Sequence, residues 1–314
     1  EGRSLPEIPI QYKDYSVWQL EQRQKQRYEE QKAYWLKELS GELPILELAT
    51  DQPRPVVQRF EGDALKFEIS VELTEKLQKL SARQGSTLYT TLLAAYKVLL
   101  HKYTGQEDII VGTPVAGRTR TEAARVIGMF VNTLALRSYP AGTKTFAAFL
   151  EEVKQNVLAA QENQEYPFEE LIEKLEWRRD LSRNPLFDTM FVLQNSERFM
   201  SGNCSLRLRE YTDEFGVSKF DLTVTAREEK QRIEFQLEYG TALFHRSTME
   251  RMSRHYISLL TAIAENDEIA LADIDVVTAQ EREQLLYGFN DTRTAYPKEK
   301  TISGLFEEQA AAGG

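Results

Sequence analysis

The stretch from about Thr87 to Tyr103 sets the strongest limit on the fold. Leu88, Leu92, Leu93, Tyr96, Leu99 and Leu100 put apolar side chains nearly all round a helix. Such a helix has no solvated face and has to be covered on every side. Gly85 closes the helix before it, Ser86 is the expected cap, and Gly105 ends it. The cover is read from the neighbouring patterns. Leu65, Phe67, Ile69 and Val71 alternate with polar residues, the period of a half-buried strand, and an amphipathic helix follows through Leu73, Leu77 and Leu80. Ile109 to Val111, Met129 to Leu136 and Phe187 to Leu193 read as strands apolar on both faces. Phe220 to Ala226 and Ile233 to Tyr239 alternate around Glu228-Glu229-Lys230, a hairpin signature. Helices are predicted through Phe146 to Val157 with Thr145 as the candidate cap, after Pro167, and through Met249 to Ile263; a polar helix from about Ser16 to Leu39 crosses an exposed surface. Interspersed strands and helices predict an α/β class, a mixed sheet with helices.

Composition narrows the function. The 314 residues hold 39 Lys and Arg against 49 Asp and Glu, a formal charge of −10. This balance argues against a nucleic-acid binder, whose affinity rests on excess cations facing phosphates. No apolar run approaches a bilayer span, so no membrane partner is expected. One Cys and three His leave no disulfide and no recognisable zinc pattern, and no metal is expected. His101, His245 and His255 lie far apart and read as structural groups, His101 suiting a helix C-terminus. Cys204 sits in a Gly-Asn turn without a nucleophile signature. Gly112 to Thr119 mimics a phosphate loop, but Arg118 stands where Lys is required and Pro114 removes a backbone donor. A tight turn ending a strand is the better reading. Glu165 to Leu171 reads as a helix start with Pro167 in the first turn and Glu169 and Glu170 at the positive dipole end. Trp177 to Leu186 reads as a connecting loop in which Asp180 has Arg neighbours to pair with.

Taken in order, four of these segments resemble the motifs of the condensation domain of nonribosomal peptide synthetases. Tyr12 to Gln19 is similar to YxDYAVWQ, with Ser16 for Ala. Ile127 to Arg137 is similar to IGxFVNTLxLR. Asn163 to Glu169 is similar to (H/N)QDYPFE, with Glu165 for Asp. Arg179 to Leu186 is similar to RDxSRNPL, and Thr113 to Arg118 fits the family's strand-end segment. The likeness runs from Tyr12 to about Val277. The family's HHxxxDG, which carries the catalytic His, has no counterpart, since the sequence holds no His pair and no Asp-Gly.

The resemblance implies a chloramphenicol-acetyltransferase-like lobe, and a peptide bond formed between donor and acceptor aminoacyl or peptidyl thioesters. No cofactor is expected to bind directly; substrates arrive on the phosphopantetheine of upstream and downstream carrier domains. The expected organisation is a C-terminal, acceptor-side lobe over residues 1–277, a linker over 278–300, and over 301–314 the start of an adenylation domain with an Ala/Gly tail. The expected partners are the carrier domains, the N-terminal lobe and the adenylation domain, and the expected location is cytoplasmic. The chain by itself is predicted to be inactive and to contain no catalytic residue. By motif position, Phe130, Asn132 and Thr133 are expected to face the substrate tunnel, with Asn132 donating to a thioester carbonyl or a pantetheine amide. Trp18, with Tyr12 and Asp14, is the expected lobe-packing anchor; Arg118 pairs with the Asp of HHxxxDG; Pro167, Phe168, Asp180, Arg183 and Asn184 hold the neighbouring loops. The competing readings are a carrier-docking and domain-packing module without chemistry, and an epimerisation-domain relative. A free-standing acyltransferase would need an HxxxD-type His, which none of the three His provides.

Overall fold

The computed structural model describes residues 8–175, 180–194, 216–229, 231–294 and 299–312. The chain divides into two compact units, Glu1–Val276 and Val277–Gly314.

The first unit is built on one six-stranded mixed sheet. Its strands are β1 (Gly62–Ile69), β2 (Ile109–Val115), β3 (Asn132–Ser138), β4 (Thr189–Gln194), β5 (Leu222–Glu229) and β6 (Arg232–Gly240), in the order β1-β6-β5-β4-β2-β3. The predicted hairpin is β5–β6, paired antiparallel from Leu222–Tyr239 to Glu229–Arg232. β1 adds antiparallel to β6, β4 runs parallel to β5, and β3 closes the far edge antiparallel to β2. β2 and β4 are parallel and meet at a single register pair, Gly112 with Met190.

Helix α4 (Leu88–Thr104) crosses the sheet as its apolar girth demands; its residues Thr90 to Leu100 are all buried. Around it stand α3 (Val71–Arg83), α5 (Phe146–Glu162) and α7 (Arg246–Glu265), each turning an apolar stripe inward. The aromatic core includes Tyr96, Phe191, Phe235 and Tyr256; the Tyr256 ring stands edge-on to both Tyr96 and Phe235. The caps are local. Ser70, Thr87 and Thr145 accept from the backbone N–H three residues on. Thr87, not Ser86, therefore caps α4, because its hydroxyl reaches the Thr90 N–H at 3.1 Å.

Three further sequence expectations are corrected. The polar helix is two helices, α1 (Tyr12–Gln22) and α2 (Gln26–Glu38). No Gly or Pro breaks it; α1 and α2 serve different surfaces, and Arg23 at the break reaches across to Glu170. Trp35 of α2 is buried, and its indole donates to the Asn163 carbonyl at 2.9 Å. The strand expected from Met129 begins at Asn132, and Ile127 and Met129 are 90% and 73% exposed. The strand expected from Phe187 begins at Thr189, after a turn in which Leu186 takes φ +67°.

The second unit holds α8 (Ala279–Glu283), a π turn over Gln284–Gly288 and α9 (Ile302–Ala312). Thr278 and Glu281 cap α8 reciprocally. No described helix is long and apolar enough to cross a membrane.

Candidate functional site

Three of the four motifs converge where β2 ends and β3 begins. Asn132 is the knot. Its amide donates to the Gln164 and Tyr166 carbonyls, both at 2.8 Å. Its carbonyl oxygen accepts from the Thr133 N–H at 2.9 Å and the Phe168 N–H at 3.2 Å. One side chain thus ties the start of β3 to the turn after α5 and to the first residue of α6 (Phe168–Lys174), for which Pro167 is the N-cap. With both amide protons held by main-chain carbonyls, Asn132 positions the turn. The expected donation to a thioester or pantetheine would require one of these bonds to break. Thr133 follows it in the strand, in register with Pro114.

Phe130 is the centre of a small second core with Ala123 and Val126. Tyr12 stands edge-on to it at 5.2 Å, Tyr15 packs against it at 4.6 Å, and the Arg118 guanidinium lies over its ring at 4.2 Å. Phe130, expected on a tunnel wall, is therefore buried beneath motif residues, with 6% of its surface exposed. The Tyr12 hydroxyl donates to the Met129 carbonyl at 2.8 Å, and Asp14 accepts from the Gln11 N–H at 2.8 Å to begin α1. Trp18 is half-buried, against Tyr15 on one side and with the Arg120 guanidinium 4.3 Å from its ring centre. Burial, and next the charge of Glu165, pushes the Tyr15 phenol up.

Arg118 donates to the carbonyls of Ala123 and Val126, and the segment after β2 forms a 3-10 turn over Thr121–Arg125. Gly117 permits this: its φ is +63°, and a Cβ there would lie 1.8 Å from the Phe130 carbonyl oxygen. The phosphate-loop mimic is a strand-ending turn whose Arg is held by main chain and an aromatic ring. Across the turn, Thr119 donates to Glu165 at 2.7 Å, joining the strand-end segment to the third motif.

The fourth motif stands apart from this knot. Arg179 and Trp177 lie outside the described residues, as does Cys204. Asp180 accepts from the Ser182 N–H and hydroxyl, both at 2.8 Å. Arg183 pairs with Asp188 and also donates to the Leu46 carbonyl; Asn184 donates to the Lys219 carbonyl at 2.9 Å. Beside them Arg54 makes a two-pronged pair with Asp221. Burial and the neighbouring Asp221 push Asp188 up, against the pull of Arg183. These residues brace the loop that leads into β4. Arg54, Asp188 and Asp221 gave no signal in the sequence, because their partners lie far along the chain.

The three His lie apart, each at the end or along the face of a helix. His101 Nδ1 meets the Gln106 carbonyl at 2.8 Å beyond the end of α4, His255 Nδ1 meets the Tyr103 hydroxyl at 2.7 Å, and His245 is the N-cap residue of α7.

Comparison with known proteins gives these motifs a family. The condensation-domain family model matches residues 1–286. Gramicidin S synthase 2 of Brevibacillus brevis is 49% identical over 311 residues, which is 98% of this chain and 7% of that protein. Tyrocidine synthase 3 of Brevibacillus parabrevis is 50% identical over 310 residues, 99% of this chain and 5% of that protein. The chain thus spans less than a tenth of the length of these relatives. A solved four-domain nonribosomal peptide synthetase bound to AMP and glycine superposes with a TM-score of 0.75 at 23% identity, covering 81% of this chain and 20% of that one. The shared fold is the chloramphenicol-acetyltransferase-like fold of condensation domains. On the family match and the motif residues together, the chain belongs to the condensation-domain family of nonribosomal peptide synthetases.

Proposed function

We propose that this chain is the C-terminal, acceptor-side lobe of a condensation domain, and that it serves peptide-bond formation between donor and acceptor thioesters delivered on the phosphopantetheine of carrier domains. The observation that carries this reading is the knot at Asn132, where residues of the family motifs are fastened together at the open ends of β2 and β3. The reaction asks for positioning. The acceptor amine attacks the donor thioester carbonyl, the carbon–sulfur bond breaks, the donor thiol leaves, and the amine proton passes to a base. Holding amine and thioester in contact removes most of the entropic barrier of bringing them together. The base in this reading is the second His of HHxxxDG, a motif absent from the 314 residues, so the chain alone is inactive.

Its residues act on the tunnel wall. Asn132 fixes the wall's backbone, Thr133 follows it, and Phe130 is the buried support. Arg118, half of its guanidinium already engaged, is the partner for the Asp of HHxxxDG. Val17, Leu20, Ile127, Met129 and Val131, all in or next to the first two motifs, are exposed apolar side chains that suit coverage by the N-terminal lobe. A flanking adenylation domain and a cytoplasmic location accompany this reading. The runner-up is a docking module for carrier domains with no part in chemistry, favoured by the missing His pair.

Carrier docking is tested by titrating a loaded downstream carrier domain into isotope-labelled chain. Shifts confined to the first unit, including the residues around Asn132 and Arg118, are expected. A spectrum unchanged at saturating carrier concentration would count against both readings.

A further inference from the structure

Beyond their single shared register pair, β2 and β4 part company. β2 runs on to Val115 and β4 to Gln194, and among the described residues no further pair joins them. The start of α4 and the end of α5 roof the gap, which holds a cavity of about 400 Å³. The space is a cleft open to solvent on one side, and its size falls within the range of small-molecule sites, about 300–1,000 Å³.

The walls define the ligand chemistry. Leu88, Val115, Leu134, Val157 and Leu193 supply apolar surface. Of the polar side chains on the inner walls, Thr87 accepts from the Thr90 N–H at 3.1 Å, the Tyr89 hydroxyl donates to Thr113 at 2.9 Å, and the Thr113 hydroxyl donates to the Phe191 carbonyl at 2.9 Å. A polar side chain entering here would give up water for wall side chains whose hydroxyls are engaged, and an apolar one would not. Exposed Gln161 and Glu228 stand at the rim, with Glu228 accepting from Gln78. Val115 is in register with Asn132, so the mouth opens beside the motif knot.

We propose that this wedge is a side-chain subsite that receives the aliphatic or aromatic side chain of a carrier-bound aminoacyl thioester. The inference rests on the condensation-domain reading above and adds to it the class of side chain selected. Donor and acceptor thioesters share this chemistry, and the experiment separates them.

The test has two measurements. In the intact module, with its HHxxxDG lobe and both carriers, the donor residue is varied among Gly, Leu and Phe with the acceptor fixed, and then the reverse. One arm is expected to favour Leu or Phe over Gly by about 10–100-fold. Leu193→Trp or Leu88→Trp, which fill the wedge from half-exposed positions, are expected to lower that ratio at least tenfold. An unchanged ratio in both arms, in variants with native circular dichroism, would overturn the subsite. Separately, the phenylalanyl and glycyl thioesters of N-acetylcysteamine are titrated into the 314-residue chain. Methyl shifts at Leu88, Leu134 and Leu193 with the phenylalanyl but not the glycyl compound are expected. Their absence overturns the proposal even if the module turns over, and their presence supports it even if the module is inactive, in which case the condensation reading alone fails.

Discussion

Asn132 and Lys97 show how much one side chain can hold. The amide of Asn132 makes four hydrogen bonds, one to Thr133 in its own strand and three to the stretch from Gln164 to Phe168. Asn132→Asp keeps the acceptor oxygen but replaces the donors with a second anionic oxygen facing two carbonyls. It should cost about 2–4 kcal/mol in chemical denaturation, more than Asn132→Ala, because repulsion is added to the lost bonds. Equal costs for the two variants would contradict the knot. Lys97 is fully buried in α4, with its Nζ donating to the Leu136 carbonyl at 2.8 Å and to Ser138 Oγ at 2.6 Å. Burial lowers it to about 7. Above that value the folded state holds Lys97 neutral while the unfolded chain still binds the proton, so its contribution to stability rises with pH from about 7 towards 10.5. Denaturant unfolding at pH 7 and pH 9.5 should show a rise in the wild type that Lys97→Met lacks, up to about 3 kcal/mol by linkage. Identical slopes would contradict the assignment. Motif likeness pointed to Asn132 in the sequence, though not to its partners. Lys97 was hidden inside an apolar pattern, because Leu136 and Ser138 lie on another element.

At the scale of elements, helices with an unbroken stripe and a good cap were legible. Thr145 was readable as a cap, α4 as a wholly buried helix, and β5–β6 as a hairpin, because each depends on neighbours in sequence. The break between α1 and α2 was not readable: no Gly or Pro marks it, and the Glu170 that pairs with Arg23 there lies far along the chain. Nor was the single register pair that joins β2 and β4. Gly112 marks it: a Cβ there would lie 2.2 Å from the Phe187 ring. Gly112→Ala should therefore destabilise by about 1–3 kcal/mol, and adding Phe187→Leu should recover part of that loss in a double-mutant cycle. Strict additivity of the two changes would place the conflict elsewhere. The same residue explains why a strand with an apolar run ends in a turn that imitates a phosphate loop: β2 needs a close approach at Gly112 and a left-handed residue at Gly117.

For the whole molecule, class and family were legible while the layout of the site was only partly so. The motif order implied a condensation domain, and the family match agrees. Phe130 and Asn132 were expected to meet substrate, but the fold uses the first as a buried support and the second as a brace. Motif spacing reports which residues belong together and not which of them face solvent. The central claim is that this chain builds and holds one wall of a condensation site whose base lies in the HHxxxDG lobe. The direct measurement is mass-spectrometric detection of peptide on the acceptor carrier, with loaded donor and acceptor carriers supplied to the chain alone and to the chain joined to an HHxxxDG lobe. The account predicts no product above a no-protein control from the chain alone and product from the joined lobes, lost when the second His of that motif is replaced by Ala. Product from residues 1–314 alone would contradict it.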